Sequence, residues 1–191
     1  MARERKFSTS DLFRAVKQLL LQHGYAGFTF SLLADELSVS RGALYKYYRN
    51  KEELITEFML YEMKQLLDDL RGIERFEHFD EQFGFLLETI LQNLELHQLI
   101  MEGQQIPVNL NGKVKENKAE LEKLHLRMYA DLNALIERGK AAGRLKSHLP
   151  NGLILGFIFQ SIAIPNHFGV EPSEWNRSIK DVICDGMFTK R

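Results

Sequence analysis

Apolar residues recur at helical spacing from Leu12 to Met187, and no stretch alternates polar with apolar for more than a few positions. A chain patterned this way buries its apolar stripes between helices, so the expected fold class is all-α. Start and stop signals divide the pattern. Ser8 is placed to cap a first helix whose stripe is Leu12, Ala15, Val16 and Leu19, and Gly24 is placed to end it. Thr29 and Ser40 are placed to cap two short helices, and Asn50, with Glu53 at the matching box position, a long fourth that runs to Gly72. Phe83 to Leu94 fits one further helix, and the stretch around Pro107 and Asn111-Gly112 reads as a break. Leu121 to Leu135 fits a helix ending near Gly143, Leu153 to Ile164 another, stopped by Pro165, and Pro172 opens the last.

Charge divides the chain where the helix lengths do. The first 51 residues carry nine Lys and Arg against four Asp and Glu; the remainder carries sixteen against twenty-two. A basic head on an acidic body is the asymmetry of a protein whose head alone meets a polyanion. The single cysteine, Cys184, excludes an intramolecular disulfide framework and fits a reducing compartment. No apolar signal core follows MARERKFSTS, and Leu153 to Ile164 falls short of the ~20 residues that span a bilayer. A cytoplasmic protein with no membrane partner is expected.

Residues 29–48 carry the most specific chemistry. Two short helices joined by a tight turn make a helix-turn-helix. In that frame Leu33, Ala34, Leu37, Val39, Leu44 and Tyr48 turn inward as a small core. Arg41, Gly42, Ala43, Tyr45, Lys46 and Tyr47 are left outside, a set that suits a DNA groove better than a core. Gly42 and Ala43 let the start of the third helix approach base edges, and Arg41 has the reach and geometry for a guanine edge. Tyr45, Lys46 and Tyr47 can contact phosphates or thymine methyls, and Lys51 adds a cation at the start of the fourth helix.

These residues closely resemble the DNA-binding region of the tetracycline-repressor family of bacterial regulators. The resemblance rests on Gly24-Tyr25, Phe28-Thr29, Leu33-Ala34, Leu37, Val39-Ser40, Gly42, Leu44-Tyr45, Tyr47-Tyr48, Asn50-Lys51-Glu52 and Leu54, in a register without gaps over about 30 positions. It covers roughly residues 8–55; beyond them it is mainly architectural, with ERGKAAGRLKSHLP similar to the segment that closes a late helix in many members. Two positions depart from the pattern. Ser38 stands in place of the turn glycine, which is expected to alter the turn slightly, and Tyr48 replaces a phenylalanine and brings a hydroxyl that needs a partner.

The resemblance implies a helix-turn-helix head at 1–50 and a helical ligand-binding and dimerisation body at 51–191. It implies that Thr29, Tyr45, Tyr47 and Lys51 bind phosphates and that Ser31, Arg41, Gly42 and Ala43 face bases. It also implies a homodimer joined through the last long helices, binding double-stranded DNA at a palindromic operator, most simply as a repressor. The apolar run Leu153 to Ile164 independently favours an interface helix. A small apolar or amphipathic effector in the body would move the fourth helix and release the DNA; candidate lining residues are Phe58, Tyr61, Met101, Gln104, Met128 and Phe157. Glu122 and His125 share a helical face, and His97 lies near Glu95 and Glu102, but no complete ligand set accompanies either, so no metal or other cofactor is expected. No nucleophile motif, P-loop or dinucleotide fingerprint appears, and an enzyme is not expected. The alternative is an all-α small-molecule binding protein or enzyme whose head does not dock on DNA.

Overall fold

A computed structural model describes residues 7–108 and 110–189, apart from the side chains of Leu94, Leu96 and His97. The cations Arg3, Arg5 and Lys6 and the candidate His97 side chain therefore lie outside the described residues.

Helix α1 (Thr9–Gly27) starts as the sequence dictates: the Ser8 hydroxyl accepts the Asp11 amide at 3.0 Å, satisfying one of the free N–H groups of the first turn. Gly24 breaks the helical run with φ 64°, a left-handed conformation that glycine adopts freely, and one more turn carries the chain to Phe28. Helices α2 (Phe30–Glu36) and α3 (Arg41–Tyr45) follow, then α4 (Lys51–Leu70). The α4 cap is reciprocal. Asn50 Oδ1 accepts the Glu53 amide at 2.9 Å, and the Glu53 carboxylate accepts the Arg49 amide at 2.9 Å. Beyond α4 the chain tightens into a 3-10 turn, Arg71–Arg75, in which Gly72 lies so close to the Phe85 ring that a Cβ would come within 2.5 Å of it.

Three expected boundaries shift. Helix α5 (Phe79–Gln92) stops before Leu94, which instead belongs to a separate helix, α6 (Leu94–Gln104), that the sequence pattern does not separate from its neighbours. Asn93 makes the break: its backbone leaves helical space (φ −101°, ψ 46°) and its side-chain amide donates to the Thr89 carbonyl at 2.7 Å. Helix α7 (Gly112–Ala141) begins well ahead of Leu121, because Asn111 Oδ1 accepts the Val114 amide at 2.9 Å and starts the helix there. Helix α8 (Asn151–Gln160) gives way to a single 3-10 turn, Ser161–Ala163, before Pro165, and α9 (Pro172–Met187) opens at its proline. Among the described residues no strand forms; Leu145 and Phe188 make one isolated bridge.

The chain divides into two units. The first runs to Lys64 and takes in Glu95–Lys123; the second is Gln65–Leu94 with the chain from Leu124 onward. In the first, Leu12, Val16 and Leu20 of α1 meet Leu33 of α2, Leu44 of α3 and Leu54, Ile55 and Phe58 of α4. Leu99 of α6, Ile106 and Val114 of α7 share that same buried cluster, so residues 1–50 do not close their core alone. Truncating a fully buried leucine such as Leu44 to alanine costs about 2–5 kcal/mol. One buried polar tie crosses this core: Asn117 of α7 donates to the Thr56 hydroxyl at 3.0 Å.

In the second unit, Phe83, Leu86, Leu87 and Ile90 of α5, Leu132, Leu135 and Ile136 of α7, Ile154, Leu155 and Ile158 of α8, and Ile179, Ile183 and Met187 of α9 are buried. Phe79, Phe83 and Phe188 pack ring on ring, and Arg144 grips Asp80 with two guanidinium N–H groups. Among the described residues no helix is long and apolar enough to cross a membrane.

Candidate nucleic-acid interface

The geometry of α2 and α3 follows from caps at both ends of α2. Thr29 Oγ1 accepts the Leu32 amide at 3.3 Å and starts the helix. At the other end Val39 N–H returns to the Ala34 carbonyl at 2.9 Å and Ser38 N–H to the Asp35 carbonyl at 3.1 Å, the Schellman pattern. That pattern needs a left-handed residue, and Ser38 supplies it at φ 52°. The turn is therefore not remodelled by the missing glycine, contrary to the sequence expectation; the serine adopts the strained conformation instead. Ser40 sits at the start of α3, but its side chain makes no capping bond there; its carbonyl accepts the Ala43 amide at 2.8 Å.

The inward and outward sets divide as the sequence pattern requires. Leu33, Ala34, Leu44 and Tyr48 are buried, and Leu37 and Val39 pack against them. The Tyr48 hydroxyl finds its partner in Glu57 at 3.2 Å. Arg41, Gly42, Tyr45, Lys46 and Tyr47 are exposed and Ala43 is half-buried. A Cβ on Gly42 would meet nothing nearer than the Ser40 hydroxyl at 4.0 Å, so packing within the fold does not demand glycine at that position. Tyr45 is 55% exposed, yet its ring meets Phe30 edge-on at 4.9 Å, and Tyr47 meets Phe7 at 5.9 Å. Each tyrosine packs against a ring of the head and keeps part of its surface exposed.

Two candidates are brought into direct contact: Arg41 Nη1 donates to Ser31 Oγ at 3.1 Å. Thr29 is exposed and Ser31 half-buried. Lys51 is placed differently from a free surface cation. Its ammonium donates to the carbonyls of Tyr25 at 2.6 Å and Phe28 at 3.1 Å and lies 4.3 Å from the centre of the Tyr25 ring. That uses two of three donors and ties α4 to the turn before α2. Tyr25 is held again by its hydroxyl, which donates to Glu52 at 2.9 Å; burial first, and then this carboxylate, push its pKa up to about 12.

The sequence reading missed the residue that completes this turn. Glu102 of α6 accepts the Tyr25 amide at 2.5 Å and the Gln105 side chain at 3.0 Å, and lies against Gly24. Seventy-seven residues separate it from Tyr25, and no local spacing signals the contact.

The candidate effector residues divide between the two units. Phe58 is fully buried against Phe13, and Tyr61 packs on the same ring at 5.0 Å. Met101 and Gln104 are exposed on α6. In the second unit Met128 is buried and Phe157 is 59% exposed. Glu122 is exposed, the His125 ring stands against Tyr129 at 4.9 Å, and among the described residues no three His, Cys, Asp or Glu side chains gather as metal ligands.

A trihelical head with a capped α2, a short α3 and an exposed set of cation, glycine and tyrosines is the helix-turn-helix of a DNA-binding protein. Residues 12–58 match the family model described as "Bacterial regulatory proteins, tetR family". The chain is 28% identical over 138 residues to the uncharacterised HTH-type transcriptional regulator YhgD of Bacillus subtilis, covering 71% of this chain and 70% of that protein. The ketosteroid transcriptional regulator KstR2 of Mycobacterium tuberculosis shares the fold over 100% of this chain and 98% of its own, with a TM-score of 0.77 at 14% identity. Bacillus subtilis FadR, solved in complex with stearoyl-CoA, matches 94% of this chain and 99% of its own, with a TM-score of 0.68 at 18% identity. Residues 12–58 carry the DNA-binding region of the tetR family of bacterial regulatory proteins, and the chain is a DNA-binding transcriptional regulator.

Proposed function

We propose that the chain represses transcription in the cytoplasm as a homodimer on a palindromic operator and lets go when a small apolar or amphipathic effector binds. Residues 1–50 act as the reading head and 51–191 as the ligand-binding and dimerisation body. In the head, Ser31, Arg41, Gly42 and Ala43 face bases; Thr29, Tyr45, Lys46, Tyr47 and the remaining N–H of Lys51 face phosphates. The observation that carries the head assignment is the exposure of a glycine-bearing helix start beside Arg41 and two exposed tyrosines.

Dimerisation is supported by Leu153 and Phe157, one helical turn apart on α8 and 48% and 59% exposed, and by Val182 on α9 at 74%. Apolar surface left open on two helices of one unit favours a partner that covers it. The effector is supported by relatives of the same fold: FadR was solved with stearoyl-CoA and a Saccharomonospora viridis regulator with choline. Among the six candidate lining residues, Tyr61, Met101 and Gln104 keep accessible surface in the first unit and are the ones assigned to meet it.

Selection of binding sites from random duplexes tests the reading. The expected product is an inverted repeat bound by two chains with affinity that falls steeply with salt. A protein that recovers no preferred sequence and binds duplexes without salt dependence is a small-molecule binder or enzyme with an idle head instead. The position of the recovered sites relative to promoters separates repression from activation.

A further inference from the structure

In an unbroken α1 the Tyr25 N–H would donate to the Leu21 carbonyl, one helical turn back. At Gly24 the backbone leaves helical space, with φ 64° and ψ 178°, so the Tyr25 N–H no longer follows the helical ladder. Two side chains of α6 take up the separated ends. Glu102 accepts the Tyr25 amide at 2.5 Å, and the Gln98 side-chain amide donates to the Leu21 carbonyl at 3.1 Å. Gln98 and Glu102 lie one turn apart on α6, as Leu21 and Tyr25 do on α1, so the two pairs match in register. Together they supply from outside the donor and the acceptor that α1 withholds from itself at the break.

Tyr25, the residue held this way, is the hub of the turn before α2. Its carbonyl accepts Lys51 at 2.6 Å, its ring centre lies 4.3 Å from the same ammonium, and its hydroxyl donates to Glu52 at 2.9 Å. The Phe28 carbonyl, next to the Thr29 cap, accepts Lys51 at 3.1 Å. A shift of Tyr25 therefore moves the Lys51 ammonium and the entry to α2 together. Gly24 leaves room for the carboxylate: a Cβ there would stand 3.3 Å from Glu102 Oε2.

We infer that Gln98 and Glu102 are positioning residues for DNA binding: they hold α1 broken at Gly24 and so set the place of the Lys51 ammonium at the phosphate backbone. Neither side chain meets DNA, and the inference rests on the reading in which Lys51 does. The expected sign runs against simple electrostatics, because a carboxylate on the head repels a polyanion and its removal alone would strengthen binding. Without the two side chains, the Tyr25 amide and the Leu21 carbonyl pair with water or with each other. Tyr25 then leaves the place from which it orients Lys51.

The test measures affinity over a range of salt on a duplex selected with the parent. It compares the parent with Gln98→Ala, Glu102→Ala, Glu102→Gln, Lys51→Ala and the double variant Glu102→Ala, Lys51→Ala. One phosphate contact contributes ~0.9 to the slope of log affinity against log salt, so Glu102→Ala is expected to lower the slope by about 1 and the affinity by roughly five- to tenfold. Glu102→Gln keeps an oxygen for the Tyr25 amide and should recover most of both. In the Lys51→Ala background the further change to Glu102→Ala should cost less than about twofold, because the two residues act through one contact. Gln98 is exposed, so Gln98→Ala spares the core and keeps the test open if Glu102→Ala does not fold; it should weaken binding by about two- to fivefold. Three results would overturn the positioning role: affinity at or above the parent's once either side chain is truncated, an equal loss with and without Lys51, or a Glu102→Gln protein no better than Glu102→Ala. A Lys51→Ala protein with the parent's slope would remove the phosphate reading of Lys51 itself, and that result is told apart by the single variant alone.

Discussion

Arg41 and Ser31, ten residues apart and on different helices, are joined by a 3.1 Å hydrogen bond from guanidinium to hydroxyl. The bond reaches from the reading helix back to α2 and limits the rotamers open to the arginine before DNA arrives. Arg41→Ala is expected to cost about 1–3 kcal/mol on the best operator and to relax preference at one base pair. Ser31→Ala leaves the arginine present but less constrained, so a smaller loss spread over fewer positions is expected. Equilibrium binding to an operator series substituted at single base pairs measures both; an Arg41→Ala protein with the parent's base preference would show the assignment to be wrong.

Gly42 separates folding from function. Nothing in the fold requires the absence of a Cβ there, and glycine weakens a helix by roughly 0.5–1 kcal/mol relative to alanine. Gly42→Ala should therefore melt at the parent's temperature or above it, yet bind the operator more weakly, because the added methyl stands off the base edges. Denaturant melts and operator affinities on the same preparation check the opposed signs.

Lys51 is tied into the fold in this geometry, and in the proposed reading it also meets phosphate. Lys51→Ala removes two bonds to carbonyls and the ammonium over the Tyr25 ring, and charged hydrogen bonds of this kind are worth about 1.5–3 kcal/mol. A lower unfolding midpoint is expected, together with a loss of DNA affinity that is even across sequences. Lys51→Arg keeps the charge but not the compact geometry, so it should restore salt dependence better than stability.

Ser38 holds a left-handed backbone that costs a non-glycine residue roughly 1–2 kcal/mol. Part of that is returned by the greater unfolded-state freedom of glycine. Ser38→Gly is expected to stabilise the head by about 0.5–1 kcal/mol without altering the operator selected, as read by chemical denaturation and binding-site selection. A loss of stability would mean that the serine side chain supplies a bond of its own.

Glu62 supplies a pH signature. Burial, outweighing Lys17 at 3.7 Å, raises its carboxyl above the usual range. A raised folded pKa means the folded state holds the proton longer than the unfolded one, so this group's contribution falls as pH rises from below the unfolded value through the folded one. Glu62→Gln should gain stability relative to the parent as pH goes from about 3 to 7. Denaturant melts of both proteins at the two ends of that range would show a constant difference if the carboxyl were unperturbed.

Sequence alone determined the all-helical class, the caps at Ser8, Thr29 and Asn50, and the inward and outward residues of residues 29–48. Each of these is local: a cap joins residues three apart, and a helical stripe repeats within one turn, so the information lies inside a few consecutive positions. The break at Asn93 escaped because one side-chain bond to Thr89 outweighs a continuous apolar pattern on both sides of it. Only the tertiary structure decided that Glu102 holds the Tyr25 amide, that Lys51 turns toward carbonyls, that Phe7 meets Tyr47, and that Leu99 and Val114 help close the head's core. Those contacts join residues 23 to 77 or more positions apart, and which partners meet at such separations is set by how helices pack, a property that no periodicity in the chain encodes.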